Sequence, residues 1–167
     1  MRGPSRDARG EGPLIVAGRR TPLARAGTAF AAVPAHELLA PVLRALVEDA
    51  SIPPELLADV VMGNAVGGGG NLARLAALEA GLPEAVPGLT IDRQCGSGLD
   101  AIVLACRLVQ AGGGLAIAAG GAESISTAPV RGRRAPGGGV EFYRRAQHAP
   151  AGSRQGEHGD PDMGPAA

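Results

Sequence analysis

The apolar positions of this chain come in short bursts separated by glycine and proline. LIVA (14–17) predicts a short buried strand that runs into the loop GRRTPLARAG. In HELLAPVLRALVEDA, the residues Leu38, Leu39, Val42, Leu43, Leu46 and Val47 recur at helical spacing. Pro41 interrupts that pattern and marks a helix start or a kink, since it lacks an N–H donor. PPELL has the form of a helix first turn opened by proline. ADVVMGN (58–64) predicts a strand. NLARLAALEA predicts a helix closed by Gly81, with Pro83 beyond it. LTID predicts a strand, SGLDAIVLACRLVQ a long helix stopped by glycine, and LAIAAGG a further strand. Strands alternating with helices imply an α/β architecture with a largely parallel sheet.

The helix after Cys95 is apolar almost all round. Leu99, Ile102, Val103, Cys106 and Val109 form one stripe, and Ala101, Leu104, Ala105 and Leu108 make another side apolar. Only Asp100, Arg107 and Gln110 are strongly polar, so the pattern predicts a buried helix packed between layers. From about Val130 no sustained period remains, and the segment reads as a long loop, or as the beginning of something the chain does not finish.

Composition sharpens this picture in three ways. At 167 residues the chain is long enough for one domain with a core, and 45% hydrophobic residues argue against wholesale disorder. Aromatics are only 2%, so Ala, Val, Leu and Ile must build that core. The 27 glycines bunch at 67–70, 112–114 and 137–139, where they predict tight turns between apolar runs. The net charge is formally zero, which leaves no electrostatic footprint for nucleic acid or an anionic membrane. All sixteen basic residues are Arg, a compositional trait that carries no mechanism. No apolar run approaches the roughly 18 residues of a membrane span, and MRGPSRDARGEGP lacks a signal core. The expected compartment is the cytoplasm, with both cysteines as reduced thiols.

Candidate chemistry centres on IDRQCGSGLDA (91–101), where a strand ends and a helix begins. A thiol there faces unpaired N–H groups and the positive end of the helix dipole, which favour the nucleophilic thiolate. Gly96 and Gly98 remove side chains beside the sulfur, so a carbonyl could approach and backbone N–H groups could bind its oxyanion. Ser97 is placed as the helix N-cap, and the C-G-S-G setting is not the G-x-S-x-G of a serine nucleophile. Two readings of Cys95 stand at this point, a covalent nucleophile and a buried structural thiol. Cys106, on the apolar stripe, reads as a small core residue. The helical residues between the two thiols rise about 15 Å, too far for a disulfide or a shared metal. No metal site is expected.

IDRQCGSGLDAI resembles the nucleophile segment N-R-x-C-x-S-G-L-x-A-I of the thiolase family. GRRTPLARAGTAF resembles the family's R-T-P segment. VVMGNAVGGGGNLARLAALEAGLPEAVPGLTI resembles its G-N…G-x-N-x-A-R…A-G-L-P…V-P stretch, in order and with similar spacing. AIAAGGAESISTAP and DPDMGPAA resemble its A-G-G-x-E-S-M-S-x-A-P and D-x-M-G-x-x-A segments. The resemblance implies a thiolase-like layered α/β fold, mostly the N-terminal βαβαβ half-domain with a buried helix after the nucleophile. It also implies a flexible tail over 1–13, an N-terminal domain over 14–130, and the truncated start of a loop domain over 131–167.

The chemistry implied is acyl transfer from an acyl-CoA to Cys95, whose own N–H serves as an oxyanion donor. The acyl group then passes to acetyl-CoA, giving a 3-oxoacyl-CoA, or the reaction runs in reverse as thiolysis. Coenzyme A thioesters are then substrates, with no permanently bound cofactor, and a homodimer or tetramer is the implied assembly. Met163 matches a family methionine near the acyl pocket, with a packing role as the alternative. Glu123 and Ser126 match structural positions. Asp92 stands where the family has Asn, and Ile125 where it has Met. The family's second cysteine and its catalytic histidines have no counterpart here. His36 reads as a solvated helix residue, and His148 and His158 lie in the irregular tail. The expectation is an inactive fragment, or a half-protein that dimerises or pairs with a separate C-terminal half. A β-ketoacyl synthase-like condensing enzyme is the rival within the superfamily. A dinucleotide-binding turn is the rival outside it, with Gly68, Gly70 and Ala73 as G-x-G-x-x-A and Asp92 about 20 residues on.

Overall fold

The computed structural model describes residues 12–143. Its regular elements are α1 (Ala35–Ala50), β1 (Leu57–Gly63), α2 (Leu72–Glu79), β2 (Gly88–Ile91), α3 (Ser97–Gln110), β3 (Ala116–Gly121), β4 (Gly132–Arg134) and β5 (Val140–Phe142). The described residues divide between Pro129 and Val130 into two compact units. In the first, the three strands are parallel in the order β2-β1-β3, the parallel sheet read from the alternating pattern and the βαβαβ arrangement implied by the resemblance. The second holds the antiparallel hairpin β4-β5. That hairpin corrects the long-loop reading of the segment over residues 132–142. Its turn carries Gly138 and Gly139 at positive φ, the conformation that lets a glycine-rich loop reverse a strand.

β1 is central, and its alternation decides the layers. Val60 and Met62 are fully buried in a cluster with Leu39 and Leu43 of α1 and Ala73, Ala76 and Ala77 of α2. Val61, also fully buried, points to the opposite face, where α3 packs on β1 and β3. Small side chains on α2 and α3 let helix and sheet approach closely, which answers how a core without aromatics fills its space.

The helix ends follow local chemistry. Pro34 precedes α1 in extended geometry, and Pro41 lies inside the helix on an exposed side. Pro41 therefore does not start the element. Asn71 caps α2, its side chain accepting from the Arg74 N–H. α2 closes at Gly81 (φ 76), with the Leu82 N–H bonding the Ala77 carbonyl. α3 closes in the same way at Gly112 (φ 80), where the Gly113 N–H reaches the Leu108 carbonyl at 2.8 Å. PPELL becomes a single 3₁₀ turn at Pro54–Leu56.

Two further expectations are corrected. LIVA is not a buried strand: Leu14 is 85% exposed, Ile15 and Val16 are also exposed, and no strand includes them. Apolarity alone reports what a segment could bury, and here no neighbour among the described residues pairs with it. α3 is not buried all round. Ser97, Ala101 and Ala105 are buried against the sheet, while Leu99 is 70% exposed and Val103 37% exposed. Of the stripe, Leu99 and Val103 are exposed and Ile102, Cys106 and Val109 half-buried, so Cys106 is partly exposed and not a core thiol. Among the described residues no helix is long and apolar enough to cross a membrane.

Candidate active site

The carboxyl ends of the three strands meet in one row, with Gly63 of β1 paired to both Ile91 of β2 and Gly121 of β3. In open parallel sheets this end is where ligands bind. The amino end of α3 sits directly on it. A Cβ on Gly63 would lie 2.5 Å from the Ser97 carbonyl carbon and 2.6 Å from the Gly98 nitrogen. A Cβ on Gly121 would come 3.4 Å from the Gly98 Cα. The glycines at 63, 98 and 121 thus let backbone lie on backbone.

Between β2 and α3 the chain makes a tight elbow. Asp92 accepts a hydrogen bond from the Gln94 N–H at 2.8 Å. Gln94 takes the left-handed conformation (φ 50), which costs a non-glycine residue about 1–2 kcal/mol. Surrounding contacts hold it there. Ser97 Oγ accepts from the Arg93 N–H at 2.8 Å and donates to the Gln94 carbonyl at 2.6 Å. Arg93 Nη1 lies 2.6 Å from Asp100 Oδ1, tying the loop to the first turn of the helix. Cys95 stands exposed at the tip of this elbow, which excludes the reading of a buried structural thiol.

Ser97 is therefore not the N-cap. It is the first helical residue and 4% exposed, Gly96 occupies the cap position, and the serine hydroxyl closes the elbow instead. At the helix start the Ser97 N–H bonds the Gln94 carbonyl and the Asp100 N–H bonds the Gly96 carbonyl. Among the described residues the N–H groups of Gly98 and Leu99 have no such partner. Unpaired first-turn donors beside an exposed thiol are suited to stabilising developing negative charge.

Among the described residues no other sequence candidate joins Cys95. His36, on α1, is partly exposed, with Nε2 3.7 Å from Glu79 Oε2 of α2. Met163, His148 and His158 lie outside the described residues. Glu123 and Ser126 do make structural contacts. The Glu123 carboxylate accepts from Asn64 Nδ2 and from the N–H groups of Ala65 and Val66, and Ser126 Oγ accepts from the Gly27 N–H. The contacts of Asn64 were not legible in the sequence; the signals were its place directly after a strand and the G-N pair of the family segment.

The dinucleotide reading fails on hydrogen bonding. The first-turn N–H groups of α2 that would cradle a phosphate are already used, Ala73 N–H by Thr90 Oγ1 and Arg74 N–H by Asn71 Oδ1. Asp92, cast as the ribose partner, is committed to the elbow.

Comparison with known proteins agrees with the geometry. The family described as "Thiolase, N-terminal domain" matches residues 14–150. VraB of Staphylococcus aureus (strain COL), which bears the name of an acetyl-CoA C-acetyltransferase, is 44% identical over 154 residues, 90% of this chain and 39% of the relative. Its namesake in Staphylococcus epidermidis is 44% identical over 156 residues, again 90% of this chain and 39% of the relative. The crystal structure of the Bacillus anthracis acetyl-CoA acetyltransferase superposes with a TM-score of 0.71 at 36% identity, covering 81% of this chain and 34% of that one. The chain spans about two-fifths of the length of the curated relatives it matches.

Proposed function

This chain belongs to the thiolase family by its N-terminal domain, and from that premise we propose that it carries the nucleophile of a thiolase-type acyltransferase. The Cys95 sulfur attacks the thioester carbonyl of an acyl-CoA. The oxyanion forms against backbone N–H groups at the start of α3, including that of Cys95. It collapses with loss of coenzyme A, whose sulfur receives the cysteine proton, and an acyl-cysteine thioester remains. In the full reaction the α-carbon of deprotonated acetyl-CoA displaces Cys95 and gives a 3-oxoacyl-CoA; thiolysis is the reverse. The observation that carries this reading is the exposed Cys95 at the tip of an elbow fixed by Ser97 and seated on the carboxyl end of the sheet. The family match favours this over a β-ketoacyl synthase-like enzyme.

Two proton-handling groups are needed beyond the nucleophile. Among the described residues no histidine lies in the elbow. No residue of the chain matches either proton-handling position of the family, so residues 1–167 are expected to be acylated once per chain without sustained turnover. A further chain supplying the remaining groups, or a homodimer or tetramer of a longer form, belongs to the same proposal.

The test is incubation with acetyl-CoA followed by peptide mapping. The expected product is an acetyl thioester on the peptide holding Cys95, absent in Cys95→Ser. Acetylation of Cys106 at the same rate, or none at all, would overturn the assignment. Steady acetoacetyl-CoA thiolysis that depends on Cys95 would refute the single-event expectation.

A further inference from the structure

Asn64 follows the last residue of β1, and its hydrogen bonds reach the ends of both neighbouring strands. Its N–H donates to the Ile91 carbonyl at the end of β2 at 3.0 Å. Its Nδ2 donates to the Ala122 carbonyl just beyond β3 at 3.0 Å and to Glu123 Oε1 at 2.6 Å. Its Oδ1 accepts from the Gly67 N–H at 3.1 Å. Glu123 Oε2 completes the set, accepting from the N–H groups of Ala65 at 2.8 Å and Val66 at 3.1 Å. Every contact runs one way, with the carboxylate only accepting and the amide donating on one side and accepting on the other.

This strap lies under the elbow. Gly63, one residue before Asn64, is the seat of the Ser97–Gly98 backbone, and its carbonyl accepts from the Ala122 N–H at 3.1 Å. Ile91, held by the Asn64 N–H, is the last strand residue before the cysteine loop. Ile91 is thus the residue from which the elbow springs and Gly63 the seat on which it lands. We infer that Asn64 and Glu123 are positioning residues for Cys95, fixing through this strap where the first turn of α3 lies relative to the sulfur. The inference rests on the reading of Cys95 as nucleophile and extends it to residues that touch neither substrate nor sulfur.

The network's polarity supplies a test. In Glu123→Gln, placing the new amide oxygen on the Ala65 and Val66 N–H groups sets its NH₂ against Asn64 Nδ2, donor against donor. Turning that amide round sets its NH₂ against the two backbone donors instead. In the exchange N64D/E123Q, the amide now at position 123 donates to the carboxylate now at position 64. The same amide still accepts from the Ala65 and Val66 N–H groups, and the relocated carboxylate still accepts from the Gly67 N–H. The bond to the Ala122 carbonyl is lost, and a carboxylate oxygen now faces that carbonyl, acceptor against acceptor.

The experiment measures iodoacetamide alkylation of Cys95 and Cys106 in the same chain by peptide mapping, alongside acetylation by acetyl-CoA. In Glu123→Gln the Cys95 rates are expected to fall about two- to fivefold, the scale of one helix-terminus interaction, with Cys106 unchanged. N64D/E123Q is expected to restore part of the loss, since only the contact to the Ala122 carbonyl stays unfavourable. Unchanged Cys95 rates in Glu123→Gln would overturn the inference. So would equal acceleration of both cysteines, the signature of general loosening. If Glu123→Gln does not fold, the exchange variant decides alone: rates near those of the parent support the strap, and loss of the Cys95 preference overturns it. Failure of the parent chain to be acetylated at all would refute the nucleophile reading and is separable from failure of the strap, which alkylation reports independently.

Discussion

Gly63→Ala tests whether backbone contact at the sheet end sets the elbow. The added methyl would sit 2.5 Å from the Ser97 carbonyl carbon, 2.6 Å from the Gly98 nitrogen and 2.7 Å from Ser97 Cβ. Two of these three are backbone atoms at the start of a helix, so no flexible side chain can swing away. Ordinary carbon contacts lie near 3.5–4.0 Å, so the first turn of α3 must retreat by about 1 Å. Overpacking of this kind costs roughly 1–3 kcal/mol. At about 3 °C per kcal/mol for a chain of this size, the melting temperature should fall by roughly 3–9 °C. The retreat also pulls on the hydroxyl of Ser97 that closes the elbow, so Cys95 acetylation should slow beyond any change at Cys106. Gly18→Ala is the control, since a Cβ there meets nothing within 4 Å. The assays are thermal melting by circular dichroism and peptide mapping after acetyl-CoA. A Gly63→Ala chain that melts with the parent and acetylates Cys95 at the parent rate would refute the reasoning.

Ser97→Ala leaves the partly buried Arg93 N–H and Gln94 carbonyl without their hydroxyl partner. It should destabilise the chain by about 1–3 kcal/mol in urea melts and reduce Cys95 acetylation; a loss of stability with the acetylation rate intact would separate the elbow from the chemistry. Acid probes a different pair. Arg19, chiefly through its hydrogen bond, holds the Asp49 carboxyl below its ordinary value of 3.8. A lowered folded-state value adds stability that is full above that ordinary value and is lost as pH falls through the folded one. Asp49→Asn should therefore melt below the parent near neutrality by a small margin, because the pair is exposed, and the margin should shrink below about pH 4. A margin that widens in acid would contradict the sign.

Much of the fold was legible because periodicity and punctuation agree. The alternation in ADVVMG places Val60 and Met62 on one face and Val61 on the other, and the glycines at 81 and 112 stop their helices where a left-handed residue is required. The elbow was legible in part, since Cys95 does stand exposed at a strand-to-helix junction. What stayed hidden was contact at long separation. The Asn64–Glu123 bond joins residues 59 apart. The seat of Ser97 on Gly63 is likewise long-range, and no local pattern encodes either. Ser97 misled because a serine at a helix start has two uses. Here its hydroxyl turns back to Arg93 and Gln94, not forward to the helix donors.

α3 shows how a correct pattern can still give a wrong burial. Its composition was read properly as apolar on two sides. Which side meets the sheet is settled by size: Ala101 and Ala105 fit against strands whose own glycines bring the backbones close, while Leu99 and Val103 are too large for that gap. Close helix–sheet approach thus selects the small stripe for the inside and leaves the bulky one outward. A helix carrying apolar residues on both sides is patterned for a layer on each. Among the described residues only the sheet side is occupied. Leu99, the most exposed of these side chains, lies in the first turn of α3, so this apolar side begins at the same end of the helix as the cysteine elbow.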